Sequence, residues 1–195
     1  RLERSSTSGS PEVSAPMELF RPFGPLIARL EAPAAVVDAL NRYVDEFVTQ
    51  HGDPPLADGG SIQIGTFRLP GAAVAGPVID FCDQAVRDYM RHCDGPPDGP
   101  VRFESFWVVR QPANTFSPVH FHSTDVAGVL YLKVHKAISE AHVPGNYITA
   151  RRGGCITFLT GGRQALNKSY VSLTPQVGAL LLASAWLLHA VEPFD

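Results

Sequence analysis

Apolar side chains recur at helical spacing in two stretches of the first half of the chain. The first stripe lies in PAAVVDALNRYVDEFVTQHG, with Pro33 near its start and Gly52 just after its end, and both are typical helix-boundary residues. The second stripe runs from Gly76 to His92 and is stopped by DGPPDGP, a run that cannot continue a helix. The pattern predicts two amphipathic helices, preceded by an extended segment that begins at Met17.

The pattern changes after residue 100 to short runs rich in Val, Phe, Leu and Tyr, separated by Gly, Pro and Asn. These runs are VRFESFWVVR, SPVHFH, AGVLYLKV, CITFLTG, YVSLTP and GALLLASAWLLHAVEPF. Such a series of short strands is typical of a barrel or jelly roll. We therefore predict an α+β fold whose core, at residues 101–195, is a double-stranded β-helix of the jelly-roll or cupin-like kind. The two N-terminal packing helices would support it from within residues 33–95.

The size of the chain fits one domain, since 195 residues that are 45% hydrophobic can build a single core. We expect this domain to cover residues 17–195. Residues 1–16 are polar, rich in Ser and Pro, and lack an apolar signal core. They are expected to form a disordered leader or a tag remnant.

The composition limits the function classes. The net charge is −3, and the basic residues are scattered apart from the single Arg151-Arg152 pair, so the chain lacks the electrostatic footprint of a nucleic-acid-binding protein. The longest apolar stretch, Val177–Val191, is too short to cross a bilayer. Three widely spaced cysteines give no disulfide framework and fit a reducing cytosol. We expect a cytoplasmic protein with a small-molecule or peptide partner, and the oligomeric state stays open, a homodimer included.

Three histidines carry the chemistry that the sequence suggests. His120 and His122 in SPVHFH are two residues apart, so on a strand their side chains leave the same face, roughly 7 Å apart at the backbone. Two imidazoles at this separation can hold one metal ion, although interior histidines held by hydrogen bonds would show the same spacing. His189, near the end of the strand predicted over GALLLASAWLL, adds a third imidazole from a distant segment. This arrangement leaves coordination positions open, as in non-haem Fe(II) oxygenases, and indicates Fe(II).

At this point the chain resembles the 2-oxoglutarate and Fe(II)-dependent oxygenases of the prolyl-hydroxylase-like group. The segments that carry the likeness are HFHSTDVAGVLYLKV, GGCITFL and SLTPQVGALLLASAWLLHAVEPF. More narrowly, the chain is similar to bacterial and phage oxygenases that combine a His-x-His motif, a strand like AGVLY, a Pro-x-x-Gly turn and a distal His-x-Val-x-Pro. The resemblance implies Fe(II), with 2-oxoglutarate and O2 as cosubstrates. It implies hydroxylation of an unactivated C–H bond in a small molecule, amino acid or peptide, with succinate and CO2 as coproducts.

The resemblance also implies a ligand set. It carries over His120 and His189 as metal ligands and puts His122 where the prolyl-hydroxylase pattern has an aspartate. Asp125 is the nearby carboxylate that could replace it, but a strand residue three positions beyond His122 faces the opposite side. The third ligand therefore stays open between His122 and Asp125, and we favour His122.

The residues that would bind 2-oxoglutarate are less completely indicated by the sequence than the metal ligands. The resemblance implies that the Tyr131 hydroxyl binds a 2-oxoglutarate carboxylate, while an ordinary strand aromatic would look the same. Asn114 could offer an amide to cosubstrate or substrate, or could simply form a turn. The family places an arginine about ten residues after the distal histidine, to pair with the far carboxylate, and that position lies past Asp195. We expect either a further strand there or another base in its place: Arg110, Arg151 or Arg163.

Two other functions fit the same residues. The first is a three-histidine cupin that acts as a dioxygenase without 2-oxoglutarate or as an isomerase. The second is a non-catalytic jelly-roll binding module. The sequence does not name the substrate, although the long loop at residues 137–152 could cover the site as a lid. Trp107, Phe121 and Trp186 are expected in the core or in the wall of the barrel interior.

Overall fold

A computed structural model describes residues 17–20, 24–52, 62–67, 71–93, 99–141, 152–161, 165 and 168–195. Within them, helices and antiparallel strands are mixed, and the predicted α+β class is confirmed. The elements are β1 (Glu18–Phe20), β2 (Ile27–Glu31), α1 (Ala34–His51), β3 (Ile62–Phe67), α2 (Gly71–His92), β4 (Phe106–Arg110), β5 (Ser117–His120), β6 (Val126–Leu130), α3 (Lys136–Ala141), β7 (Ile156–Leu159), β8 (Tyr170–Leu173), β9 (Ala179–Ser184) and β10 (Leu188–Val191).

Two four-stranded sheets form the centre of the fold. The first has the strand order β1-β2-β9-β6 and the second β5-β10-β7-β8, and the pairings within them are antiparallel. Ile27 and Leu181 of the first sheet share one buried cluster with Ile156 and Phe158 of the second. The sheets therefore face each other across an apolar layer, and the strands that the structure describes do not close into a barrel.

Strand β9 is apolar almost throughout because both of its faces are buried. Leu181 points into the layer between the sheets, whereas Leu180 and Leu182 lie on the other face in a cluster with Ala85 and Tyr89 of α2. Successive strand residues point to opposite faces, so a strand between a sheet and a helix needs apolar residues at every position. Helix α2 thus covers the outer face of the first sheet.

Both predicted helices are present. Helix α1 begins directly after Pro33 and ends before Gly52, as predicted. Helix α2 ends at His92 as predicted but begins at Gly71 instead of Gly76. Pro77 lies inside α2, although proline favours the first turn of a helix. The predicted start was too late because the apolar stripe was recognised only from Gly76 onward. No helix in the described segments combines the length and the apolar character that a membrane span requires.

The N-terminal extended segment contributes to the core. It forms two strands, β1 and β2, which pair with each other, and β2 also pairs with β9. Strands from before the helices and from the end of the chain therefore share one sheet. Residues 1–16, expected to be a leader, lie outside the described residues. In the loop predicted over residues 137–152, α3 occupies the start, and residues 142–151 also lie outside them.

A separate two-stranded sheet joins β3 to β4. Strand β3 was not predicted, because its six residues follow a run of turn-forming residues and include Gly65, which weakens a strand signal. Strand β4 is attached to the helical layer through Val108, which packs against Val44 of α1. The β3–β4 pair thereby lies at the junction between α1 and the rest of the fold.

The last apolar run of the sequence is two strands and not one. Strand β9 ends at Ser184, a turn follows, and His189 is the second residue of β10. The backbone N–H of Leu187 donates to the Ser184 carbonyl at 3.0 Å, and that of Ala185 donates to the Asp125 carbonyl at 3.1 Å. The turn was missed because Ala185 and Leu187 are themselves apolar and buried, so the usual polar turn signal is absent.

The contact between α2 and the first sheet gives a stability prediction. Tyr89 is buried, and its hydroxyl donates to the Leu26 carbonyl at 3.0 Å. Tyr89→Phe should lower the free energy of unfolding by about 1–2 kcal/mol, since a buried hydrogen bond is lost. Urea denaturation measures the change. The matched control is Tyr131→Phe, because the buried Tyr131 hydroxyl has no partner among the described residues. An equal loss in both variants would contradict this account.

Candidate metal centre

Adjacent strands of the second sheet bring the first two histidines together. His120, the last residue of β5, stands directly opposite His189 of β10. Residues opposite each other on antiparallel strands project to the same face, and the two ring centroids are 4.3 Å apart. His189 is buried, and the register shifts between it and Val191, an irregularity of the kind that often adjusts side chains beside a functional site.

His122 completes the cluster from just beyond β5. Its backbone N–H donates to the Ala185 carbonyl at 2.8 Å, which fixes the chain beside the β9–β10 turn. Its ring centroid lies 5.1 Å from that of His120 and 5.1 Å from that of His189. One ring nitrogen from each histidine lies within 4.8 Å of the other two. The structure therefore brings together the three residues that the sequence analysis named as ligands.

Two of the imidazoles are held by the backbone. Nδ1 of His120 lies 2.7 Å from the Pro118 carbonyl, and Nδ1 of His189 lies 2.9 Å from the Leu187 carbonyl. A carbonyl only accepts, so Nδ1 carries the proton in both rings. The lone pair is then on Nε2, the arrangement found when a metal-binding histidine donates its other ring N–H to a carbonyl or carboxylate. Both rings are fixed in the tautomer that a metal needs before any ion arrives.

Burial favours the neutral form of two imidazoles of the cluster, those of His189 and His122. Burial lowers the pKa of His189, with further lowering by His120 and His122 and an opposing effect of its hydrogen bond to Leu187. Burial also lowers the pKa of His122, and His120 adds to the effect. A lowered pKa keeps each ring unprotonated at neutral pH, which is the form that binds metal.

Asp125 is not part of the cluster. Its side chain is exposed, and the described group of potential metal ligands consists of the three histidines. Its backbone carbonyl is used instead in the β9–β10 turn, where it accepts from Ala185. Of the two alternatives for the third ligand, the geometry favours His122.

Comparison with known families agrees with this site. The family model described as "Putative 2OG-Fe(II) oxygenase" matches residues 105–195, just under half of the chain, and this span includes all three histidines. The matched segment is similar to the 2OG-Fe(II) oxygenases. No curated protein matches the chain. The resemblance stated from the sequence is therefore confirmed.

2OG-Fe(II) oxygenases use Fe(II) with 2-oxoglutarate and O2 as cosubstrates, and the histidine cluster fits that metal. Imidazole is a suitable donor for iron. Three donors on neighbouring positions hold an ion on one side only and leave the other side accessible. A closed structural site would instead need four protein ligands, and the described residues offer three.

The two residues predicted to contact a cosubstrate have different surroundings. Tyr131 directly follows β6 and packs against the buried cluster between the sheets. Its hydroxyl is buried without a hydrogen-bond partner among the described residues, and burial, followed by Cys155, raises the pKa of its phenol. Asn114 is exposed in a turn with φ 61°, and its N–H donates to the Phe194 carbonyl at 2.7 Å. The turn explanation accounts for Asn114, and its contact with a cosubstrate stays a prediction.

The basic residues considered for the far carboxylate are only partly described. Arg110 is the exposed last residue of β4, whereas Arg151 and Arg163 lie outside the described residues. The neighbouring Arg152 donates to the Tyr170 hydroxyl at 2.9 Å. A further strand past Asp195 remains a prediction.

Three large aromatic side chains are more exposed than the sequence predicted. Trp107, Phe121 and Trp186 were expected in the interior but are 41%, 52% and 62% exposed. Phe121 and Trp186 stack on each other at 5.4 Å, while the Trp107 ring lies 5.4 Å from that of His122. For Phe121 and Trp186 the expectation was wrong because they lie just past the end of β5 and in the β9–β10 turn, and neither boundary is readable in the sequence.

Proposed function

We propose that this protein is a non-haem Fe(II), 2-oxoglutarate-dependent dioxygenase that hydroxylates an unactivated C–H bond of a small molecule, amino acid or peptide. The observation that carries the proposal is the convergence of His120, His122 and His189 within a 2OG-Fe(II) oxygenase segment. The bound metal and cosubstrate would supply the oxidising chemistry, in which O2 and 2-oxoglutarate give succinate, CO2 and the hydroxylated product. The protein's own part is to hold, orient and shield the reactants.

Two of the residues that would hold the metal lie on rigid elements of the fold. His120 and His189 lie on paired strands, and their rings are oriented by backbone carbonyls. Sites built on strands keep their geometry better than sites on loops. On the far side of His189, the Phe158 ring lies at 5.9 Å and is itself buried, so one side of the cluster is closed to water by an apolar wall.

Tyr131 supports the assignment of 2-oxoglutarate. A buried hydroxyl without a partner is costly, by about 1–3 kcal/mol, and such a group is uncommon unless a ligand satisfies it. Tyr131 packs in the same apolar cluster as Phe158, the neighbour of His189. Because its phenol keeps its proton, it can donate a hydrogen bond to a carboxylate in an apolar site. We propose that this carboxylate belongs to 2-oxoglutarate.

We also propose a double-stranded β-helix as the core architecture. The last six strands pair in a nested manner: β5 with β10, β6 with β9, and β7 with β8. Nested antiparallel pairs arise when one long hairpin is wound up, which is how a jelly roll is built. The pairing of β10 with β7 joins two of these pairs in the second sheet.

The second candidate is a three-histidine dioxygenase or isomerase that does not use 2-oxoglutarate. The observation that favours it is the donor set, since the described cluster contains three imidazoles and no carboxylate. The two candidates differ in one product. Incubation of the iron-loaded protein in air with labelled 2-oxoglutarate, and with ascorbate to supply the two electrons that a substrate would otherwise give, should produce labelled succinate that NMR detects. Tight iron binding without any succinate, together with a thermal stability that 2-oxoglutarate does not raise, would favour the second candidate.

Tyr131→Phe separates cosubstrate binding from stability. The variant should bind 2-oxoglutarate at least about tenfold more weakly, because a hydrogen bond to a charged group contributes about 1.5–3 kcal/mol. Its free energy of unfolding without ligands should be unchanged or higher, since the removed hydroxyl has no partner among the described residues. Anaerobic titration of the iron-loaded protein gives the affinity. Tyr89→Phe is the crossed control, expected to lose stability but to keep the affinity. Parental affinity in Tyr131→Phe would contradict the assigned role.

A further inference from the structure

The three imidazoles of the cluster are not restrained in the same way. Those of His120 and His189 are each tied through Nδ1 to a backbone carbonyl two residues earlier. The ring of His122 makes no hydrogen bond within the described part of the chain and is only half-buried. What lies against it is the indole of Trp107, with ring centroids 5.4 Å apart and planes inclined at 59°. The third imidazole is thus restrained by an aromatic ring.

Strand β4 places the Trp107 ring beside His122. Val108 packs toward α1 against Val44, and successive strand residues point to opposite faces, so Trp107 is directed to the other side. The register of the β3–β4 pair shifts between Ile64 and Thr66, directly opposite Val108 and Trp107. A bulge bends the strand pair locally and redirects side chains, and bulges are frequent beside active sites. The position of Trp107 beside His122 therefore has a structural cause.

We propose that Trp107 is a positioning residue for His122, doing through packing what the Pro118 and Leu187 carbonyls do for the other two ligands. The inference rests on the proposed function, because it takes His122 as a metal ligand. The indole limits rotation of the imidazole away from His120 and His189. Without it, the ring samples more rotamers, and ordering it on the metal weakens binding. Loss of a partner that orients a ligand typically costs about 10–100-fold in metal affinity.

The experiment uses Cu(II) as a probe, with the full chain. Its affinity is measured by competition with a chelator, and its EPR nitrogen hyperfine structure reports how many imidazoles coordinate. Trp107→Ala should bind about tenfold more weakly and shift toward the spectrum of His122→Ala. Trp107→Phe, which keeps an aromatic ring, should restore both. Trp186→Ala is the matched control, because its indole stacks on Phe121 and has no ring contact with the cluster among the described residues.

A double-mutant cycle tests whether Trp107 acts through His122. In the His122→Ala background, Trp107→Ala should have no further effect, since the residue that it positions is gone. An equal effect in both backgrounds would overturn the inference, as would parental affinity and spectrum in Trp107→Ala. If Trp107→Ala does not fold, Trp107→Leu keeps apolar bulk without a ring and should give the same loss. If His122→Ala binds Cu(II) with the parental affinity, this inference alone is refuted. If His189→Ala also binds Cu(II) with the parental affinity, the proposed function is refuted as well.

Discussion

His189→Ala should lower the affinity for a divalent metal by about a hundredfold or more and abolish turnover of 2-oxoglutarate. Four-ligand zinc sites contribute about 10–16 kcal/mol, so one imidazole in such a site corresponds to roughly 2.5–4 kcal/mol. His189 is the most buried of the three histidines, and its ring already has the tautomer for ligation through the bond to Leu187. Calorimetric titration with Co(II) or Fe(II) under nitrogen measures the loss.

The control for this variant is His51→Ala. His51 is exposed at the end of α1, where its ring stacks on Phe47, and it is outside the described metal-ligand cluster. Its removal should leave metal affinity within about twofold of the parent, as expected for a distant surface site. Metal binding that survives His189→Ala but falls in His51→Ala would mean that the ion binds elsewhere.

Gly154→Ala should destabilise the protein by about 3 kcal/mol. Gly154 has φ +71°, a conformation that L side chains rarely adopt, and an added Cβ would lie 2.6–2.9 Å from three atoms of Ile138. Ile138 is buried and has little room to move. Backbone strain of about 1–2 kcal/mol and overpacking of about 1–3 kcal/mol combine here. Urea denaturation monitored by circular dichroism gives the free energy.

Gly52→Ala distinguishes the two contributions. Gly52 has a similar φ, +74°, with ψ 175°, and nothing lies within 4 Å of an added Cβ. Its loss should come from backbone strain alone, about 1–3 kcal/mol, so a larger loss in Gly154→Ala would come from the clash with Ile138. Equal losses in the two variants would show that Ile138 yields, and that the packing of α3 against Gly154 is loose.

Local sequence patterns predicted the helices and strands that are marked by their own apolar residues and by the turn-forming residues beside them. The apolar stripe of α1 and its boundary residues Pro33 and Gly52 predicted that helix correctly. The strand runs after residue 100 were recognised through β-branched and aromatic residues between turn formers. Strand β3 and the split between β9 and β10 were missed, because a glycine interrupts the first and the turn in the second is built from buried apolar residues.

The candidate site was predictable for a different reason. His120 and His122 are separated by one residue, and the strand period alone puts them on one face. His189 joined them as an imidazole near the end of a distant predicted strand, and the family resemblance also carried it over, whereas its exact pairing with His120 is a matter of register between strands far apart in the sequence. The contact of Trp107 with His122 joins β4 to the residues just past β5, beside a register shift in the β3–β4 pair. Such a contact arises only when three separate segments are assembled, and no local pattern encodes it.

The most direct test of the central claim is the visible absorption of the Fe(II)-loaded protein on anaerobic addition of 2-oxoglutarate. Chelation of 2-oxoglutarate by iron held in the histidine cluster predicts a charge-transfer band that saturates at one equivalent of each and is lost in His189→Ala. A protein that binds iron tightly but develops no band, or one whose band is unchanged in His189→Ala, would contradict the account.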